Sequence, residues 1–306
     1  MKRSDLACVV LNWNGGTHVI DCMRSVYGSS LVPDTVLVVD NGSTDDSPKA
    51  LMQEFPRITF LKHEKNIGLV AARNEAIAAA LRGNAEFIFF LDNDAEVSQE
   101  CLAQLCGAAG RTPAAGIFTP RILEAGSGGR IWFDGGRISR AGDAVHERMG
   151  RKIEECPDVQ DGQTRETTFA TGCAMLVRSA VFEQVGLFDR DFFVYSEDAD
   201  FSYRARAQGF SIVHVPYATV RHRQSSDTKA NRGKWFRDYY VTRNKLLLAH
   251  KHIRGWRWIA FSLNFTARSF LMPMAYFVLT GQLERARAVW QGTWDCLGGK
   301  VGERFS

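Results

Sequence analysis

An α/β fold on a mostly parallel, doubly wound sheet is predicted by three features of the sequence. Apolar runs lack polar alternation, segments of helical period separate them, and acidic or amide residues end them. The run at 87–91 reads Phe-Ile-Phe-Phe-Leu, the pattern of a strand covered on both faces. Residues 7–11, 35–39 and 59–61 give further strands. Helices at 17–27, 47–55 and 68–81 fall between them, and another follows at 99–106. This alternation is what crossover connections between parallel strands require.

The texture changes over 119–168, where Gly126, Gly128, Gly129, Gly135, Gly136 and Gly142 stand among scattered charges. A loop-rich insertion with short strands is predicted there, a usual place for specificity. A buried strand follows at 169–177, then helices at 179–185 and from the acidic cluster of Glu197, Asp198 and Asp200 to about residue 208, and a strand at 211–215. Beyond His222 the sequence reads as helical. A boundary near 221 therefore divides the chain into an α/β domain, 1–221, and a helical, basic region, 222–306.

A hydrophobic content of 45% with 24% charged residues excludes disorder and low-complexity classes. The seven cysteines, Cys8, Cys22, Cys101, Cys106, Cys156, Cys173 and Cys296, are odd in number and form no CxxC pair, so a reducing cytosol is expected. The apolar segment 6–11 is too short for the core of a cleaved signal. Charge is uneven: 221–257 holds eleven Lys and Arg against Asp227 and Asp238, net +9, so the rest of the chain is net −5. Such a segment points to phosphates, anionic lipid or nucleic acid. Over 256–283 the chain is rich in Trp, Phe, Leu and Met, but Asn264, Arg268 and Pro273 interrupt it. Its longest uncharged run, 269–283, is fifteen residues, short of the roughly 20 a spanning helix needs. A helix lying at a membrane surface is expected, with Trp256 and Trp258 at headgroup level; a plain helical subdomain is the other reading.

Asp92, Asn93 and Asp94 follow the strand at 87–91. In parallel sheets ligands bind beyond the carboxyl ends of strands, and paired carboxylates there suit a hard divalent cation bridging to phosphate. An Asp-Asn turn capping the next helix reads equally from the same residues. Asp40 ends the second strand before Asn41-Gly42-Ser43-Thr44-Asp45, either as turn chemistry or as a carboxylate that accepts a uracil or thymine imide N–H. Asn66, Gly68, Arg73 and Asn74 lead into a helix, where Gly68 permits close backbone approach and Arg73 can reach a nucleotide. Glu197 and Asp198 follow the aromatic residues Phe192, Phe193 and Tyr195; a carboxylate beside apolar surface has its pKa raised toward that of a general base. His222, between Arg221 and Arg223, is a candidate second ligand to a metal at Asp94.

Taken in order, Val9-Val10-Leu11-Asn12-Trp13-Asn14-Gly15, Val38-Val39-Asp40-Asn41-Gly42-Ser43-Thr44-Asp45, Asn66-Ile67-Gly68 with Ala72-Arg73-Asn74, Leu91-Asp92-Asn93-Asp94, Gly172-Cys173-Ala174-Met175 and Phe193-Val194-Tyr195-Ser196-Glu197-Asp198-Ala199-Asp200 resemble inverting family 2 glycosyltransferases of the GT-A fold, above all the rhamnosyltransferase-like members. The resemblance covers about 6–250. It implies nucleotide-sugar binding by Asn12, Asp40, Asn66, Arg73, Asp92 and Asn93, with Asp40 reading the base. It implies Mg²⁺ or Mn²⁺ held by Asp94 and His222, Asp198 as the base that deprotonates the acceptor, and acceptor contacts from Gly172, Glu197 and Arg243. The implied donor is a dTDP or UDP sugar, dTDP-L-rhamnose first. The implied acceptor is a saccharide or polyprenyl-linked saccharide, met by a protein peripheral to the inner face of the plasma membrane, with a homodimer allowed for and no nucleic-acid partner. The Gln-x-x-Arg-Trp element of processive members is matched only vaguely by Arg254-Gly255-Trp256, so single-sugar transfer is expected.

Other classes fit less well. A dinucleotide-binding oxidoreductase needs GxGxxG after the first strand, where Asn12-Trp13-Asn14-Gly15-Gly16 stands, and no Walker A loop is present. A non-catalytic nucleic-acid or lipid-binding protein would use the basic stretch with Trp235, Phe236, Tyr239 and Tyr240, but their helical spacing suits an amphipathic face.

Overall fold

Strand β1 (Leu6–Asn12) pairs in parallel with β2 (Thr35–Asn41) on one side and β4 (Phe87–Asp92) on the other, and β2 pairs in parallel with β3 (Thr59–His63). The computed structural model describes residues 5–139, 143–156, 163–223 and 227–305, with side chains described from 233 onward in the last segment. Gly142 and the side chains of Asp227, Lys229 and Arg232, the latter two among the eleven basic residues of 221–257, lie outside the described residues. Helices α1 (His18–Tyr27), α2 (Ser47–Glu54) and α3 (Leu69–Arg82) make the crossovers. This is the parallel half that the sequence predicts, and β4 is buried from Phe87 to Leu91.

The sheet continues as a mixed half. After β5 (Ala95–Val97) and α4 (Cys101–Arg111), β6 (Ala115–Glu124) and β12 (Ser211–His222) pair in parallel, while β11 (Ala174–Arg178) runs antiparallel between β4 and β6. β7 (Ile131–Phe133) and β10 (Arg165–Thr167) add antiparallel pairs at β6 and β12, and β8 (Gly136–Ile138) forms a hairpin with β9 (Ala144–His146). The insertion is thus short-stranded, as expected. The strand predicted at 169–177 begins only at Ala174, leaving 169–173 as a loop against the end of β4. The strand predicted to end at 215 continues to His222 through a bulge between Val215 and Thr219. Helices α5 (Ser179–Val185) and α6 (Glu197–Ala207) flank β11 and β12 in the chain.

Beyond β12 the chain is helical: α7 (Asp227–His252), kinked at Gly233, then α8 (Trp256–Asn264), a π-helical turn (Phe265–Leu271), α9 (Met272–Leu279) and α10 (Leu283–Leu297). Leu247 and Leu248 of α7 join the same apolar core as the sheet. No helix among the described residues is long and apolar enough to cross a membrane.

The insertion is tied to the sheet by Asp134, which is 1% exposed just after β7. Its Oδ1 accepts from Arg121 Nε on β6 at 2.7 Å and meets His214 Nε2 on β12 at 2.9 Å; its Oδ2 accepts from Arg148 Nη1 at 2.7 Å. Burial raises the carboxyl pKa, but the hydrogen bonds and charges of His214 and Arg121 outweigh it and hold the group well below the usual carboxylate range. A depressed folded pKa contributes stability above the unfolded pKa and loses it as pH falls. Asp134→Ala leaves Arg121 buried without that partner, and we expect a loss of about 3–5 kcal/mol, measured by urea unfolding at pH 7, with the gap to wild type narrowing as pH is lowered.

Candidate functional site

The ends of β1, β2 and β4 carry three linked groups. Asn12, wholly buried, donates from Nδ2 to Asp40 Oδ1 at 2.9 Å and Ser47 Oγ at 2.9 Å, and Asp40 is itself fully buried. Asn12 Oδ1 has no hydrogen-bond partner; it faces Gly15, where a Cβ would lie 2.4 Å from it and 2.8 Å from Asn93 Nδ2. Only glycine lets the turn after β1 come this close. Asn66 accepts from Asn41 Nδ2 at 3.1 Å and from the Gly68 N–H at 2.9 Å, shaping the entry to α3. Gly68 has φ +91°, and a Cβ there would stand 2.5 Å from the Phe193 ring.

Arg73 forms the second group. It is 3% exposed on α3, and its guanidinium donates to Asp92 Oδ1 at 2.9 Å, Glu197 Oε1 at 3.2 Å and the Gly172 carbonyl at 2.9 Å. The sequence places Arg73 on the nucleotide; the fold instead buries it as a clamp joining the end of β4, the start of α6 and the loop before β11. A Cβ on Gly172 would lie 2.6 Å from Arg73 Nη1, so glycine is required for that approach. The Gly172 N–H donates to Asp198 Oδ2 at 2.9 Å, and Ala199 N–H donates to Oδ1 at 2.8 Å. Two backbone donors therefore aim the Asp198 carboxylate. Burial pushes Glu197 up to about 8, the Asp198 charge adding and the Arg73 charge opposing. Asp92 is also raised by burial, against Arg73 and His222.

Asp94 and His222 form the third group. They are each 9% exposed, and His222 Nε2 lies 3.0 Å from Asp94 Oδ1. Donor atoms of Asp92, Cys173 and His222 lie within 4.8 Å of one another. Burial holds the Cys173 thiol well above its usual value; Asp94, through its contact with His222, adds a second carboxylate beside Asp92 and the imidazole. That set fits a hard divalent cation. Cys173 was not legible as a neighbour of the metal candidates, since its spacing matches no ligand motif.

Of the residues expected at the acceptor, Gly172 and Glu197 belong to the Arg73 network. Arg243 lies elsewhere: 1% exposed on α7, it donates to the carbonyls of Gly302, Asp191 and Phe192. Beside it Asn244 Nδ2 donates to the carbonyls of Phe192, Val194 and Tyr195 at 2.7–2.9 Å. Both hold the loop before α6 rather than presenting to a ligand. Trp132 and His146, which the sequence did not single out, stand beside His222: the Trp132 ring lies 4.7 Å from the His222 ring and 4.6 Å from His146. Burial lowers the His146 pKa, and the charges of Asp198 and His222 both act on it.

Comparison with known proteins bears on the family and the fold. The chain is 26% identical over 298 residues, 92% of its length and 95% of the relative's, to N-acetylglucosaminyl-diphospho-decaprenol L-rhamnosyltransferase of Mycobacterium tuberculosis. Its fold is similar to that of a mannosyltransferase from Pyrobaculum calidifontis solved with GDP-Man and Mn²⁺, with TM-score 0.59, 16% identity, and 98% of this chain and 89% of that one covered. It is also similar to GalNAc-T7 solved with UDP, GalNAc and Mn²⁺, with TM-score 0.59, 15% identity, and 88% of this chain covered; the chain spans 58% of that protein. The fold is GT-A. The family model described as glycosyl transferase family 2 matches residues 8–186, more than half of the chain, and the chain belongs to glycosyl transferase family 2.

Proposed function

We propose that this chain is a metal-dependent inverting glycosyltransferase that moves L-rhamnose from dTDP-L-rhamnose to a hydroxyl of a lipid-linked saccharide in cell-surface polysaccharide synthesis. The observation that carries the reading is the convergence of a cation-binding pair, Asp94 and His222, with an aimed carboxylate, Asp198, through the Asp92–Arg73–Gly172 bridge. The choice of sugar and acceptor is supported by the activity named for the mycobacterial relative. The GT-A neighbours solved with Mn²⁺ support a divalent ion.

In this reading Asp40 and Asn12 line the base end and Asp92 the ribose end. Asp94 and His222 would hold Mg²⁺ or Mn²⁺, an ion that would supply positive charge to offset that of the departing diphosphate. Asp198 takes the proton of the acceptor hydroxyl as its oxygen bonds to the anomeric carbon. The bond from that carbon to the diphosphate oxygen breaks on the opposite face, its electron pair leaving with the diphosphate. One displacement inverts the centre, and no covalent nucleophile is needed.

A peripheral position on the inner face of the plasma membrane is supported by surface chemistry. Thirteen of the seventeen exposed large hydrophobic side chains among the described residues lie between Trp256 and Val301. Between Asp238 and Glu284 the sequence has no acidic residue, while Arg254, Arg257 and Arg268 are exposed there. Apolar exposure with a basic rim suits an anionic bilayer surface.

Two expected outcomes test these assignments. Asp198→Asn keeps donor affinity, measured by calorimetry with dTDP- and UDP-sugars in Mn²⁺, and lowers transfer by about 10²–10⁴-fold, the scale of general-base catalysis; near-normal transfer would remove Asp198 from that role. The wild type co-sediments with vesicles containing anionic lipid and is released by salt. The double variant Leu263→Glu with Leu279→Glu binds at least about tenfold more weakly, since each side chain contributes up to about 1.5–3 kcal/mol when buried in lipid. Equal pelleting with and without vesicles contradicts the membrane assignment.

A further inference from the structure

Trp132 is the half-buried residue between two buried ones on β7, Ile131 and Phe133, each fully shielded from solvent. Alternation along a strand turns its indole to the opposite face from theirs. There it makes T-shaped contacts with the His222 ring at 73° and the His146 ring at 80°. His146, at the end of β9, is fixed in turn: its Nδ1 lies 3.2 Å from the Trp132 carbonyl, and its ring stacks on Phe169 at 5.9 Å. Phe169 opens the loop whose Gly172 N–H holds Asp198, and Trp132 packs on His222, so this aromatic pair borders both the proposed base and the cation-binding pair. The space between those two groups is where an attacking hydroxyl has to stand.

A partly open indole beside the reacting atoms is poor shielding for a core and a good surface for a ligand. A pyranose offers one face of C–H bonds, and the negative π face of an aromatic ring attracts their positive hydrogens. We propose that Trp132 and His146 form the acceptor subsite: the indole takes the C–H face of the sugar that bears the attacking hydroxyl, and the imidazole donates or accepts a hydrogen bond at a neighbouring hydroxyl. The acceptor class is therefore a pyranoside rather than a bare alcohol or a peptide hydroxyl. This assignment rests on the glycosyltransferase reading above and adds the residues that select the acceptor.

The test uses the full chain with Mn²⁺, dTDP-L-rhamnose as donor and octyl N-acetylglucosaminide as acceptor probe. Trp132→Leu raises the acceptor KM by tenfold or more, with a smaller change in kcat, and leaves the nucleotide-sugar Kd within about twofold; Trp132→Phe, which keeps a π face, recovers most of the acceptor KM. His146→Ala raises the acceptor KM in the same direction. An unchanged acceptor KM in Trp132→Leu overturns the subsite, and so does a parallel loss of nucleotide-sugar affinity, which would mark Trp132 as packing for His222 only. Should Trp132→Leu fail to fold, an acceptor KM for Trp132→Phe as poor as that of His146→Ala also overturns it. Failure of the wild type to bind any nucleotide sugar refutes the glycosyltransferase reading instead, so the two failures are distinguishable.

Discussion

A guanidinium taken out of water must find its counter-charges and acceptors inside the protein, because an unpaired buried charge costs several kcal/mol. Arg73 imposes that requirement here, and the centre of the site is arranged to meet it. Asp92 comes from the end of β4, Glu197 from the first turn of α6, and the carbonyl of Gly172 from the loop before β11. These three are distant in sequence, so the clamp fixes parallel and mixed halves of the sheet against each other. Glu197, with Oε2 lacking a hydrogen-bond partner and its pKa pushed up to about 8, serves this clamp, and the neighbouring Asp198 is left to face outward. Gly172 meets both demands at once: its carbonyl accepts from Arg73 and its N–H donates to Asp198. A side chain at that position would occupy the space of the guanidinium.

Strain accumulates just before the aimed carboxylate. Phe193, Tyr195 and Ser196 all have positive φ, between 60° and 66°, a conformation that costs a non-glycine residue about 1–3 kcal/mol. Such a loop persists only if its surroundings hold it. Asn244 holds three of its carbonyls and Arg243 shares that of Phe192 and adds that of Asp191, both from α7, while Phe193 packs on Tyr240 at 5.3 Å. Helix α7 thus braces the segment that carries Asp198. The apolar helices beyond it pack on the same α7, through Leu246, Ala249 and the following Ile253 against Phe261 and Phe265. The exposed apolar surface of those helices and the loop that carries Asp198 therefore share one element.

The parallel half of the sheet was legible because each of its strands is an uninterrupted apolar run followed by a turn, and because burial on both faces leaves no other reading of 87–91. The carboxylates at Asp92 and Asp94 were legible for the same reason, since they end such a run. What failed was long-range geometry. Nothing local says that Arg73 turns inward to Glu197, 124 residues away, or that Arg243 and Asn244 serve a loop some 50 residues earlier; a buried cation and an exposed one look alike in sequence. Trp132 and His146 stayed invisible because they sit on three-residue strands, too short for any period to show. The strand expected to start at 169 instead begins at Ala174; just before it the Gly172 carbonyl accepts from Arg73 and the Cys173 carbonyl from the Asp92 N–H.

The meeting of Asp94 with His222 follows from sheet register. β5 has only three residues, and it pairs antiparallel with the far end of β12, setting His222 opposite Ala95, Arg221 opposite Glu96 and Val220 opposite Val97. The Arg223 N–H then donates to the Asp94 carbonyl at 3.0 Å, continuing the ladder past the strand ends. With a side-chain period of two, a slip by one residue would turn Arg221 or Arg223 toward Asp94 and send His222 to the other face. The bulge between Val215 and Thr219 adjusts the alternation between the buried start of β12 and this end, as bulges re-aim side chains next to sites. The basic residues on either side of His222 are thereby kept off Asp94, and Arg223 is drawn to Glu96 and Asp21 instead. An arginine placed at Asp94 would neutralise it and leave no charge to attract a cation; register, more than composition, decides that an imidazole stands there.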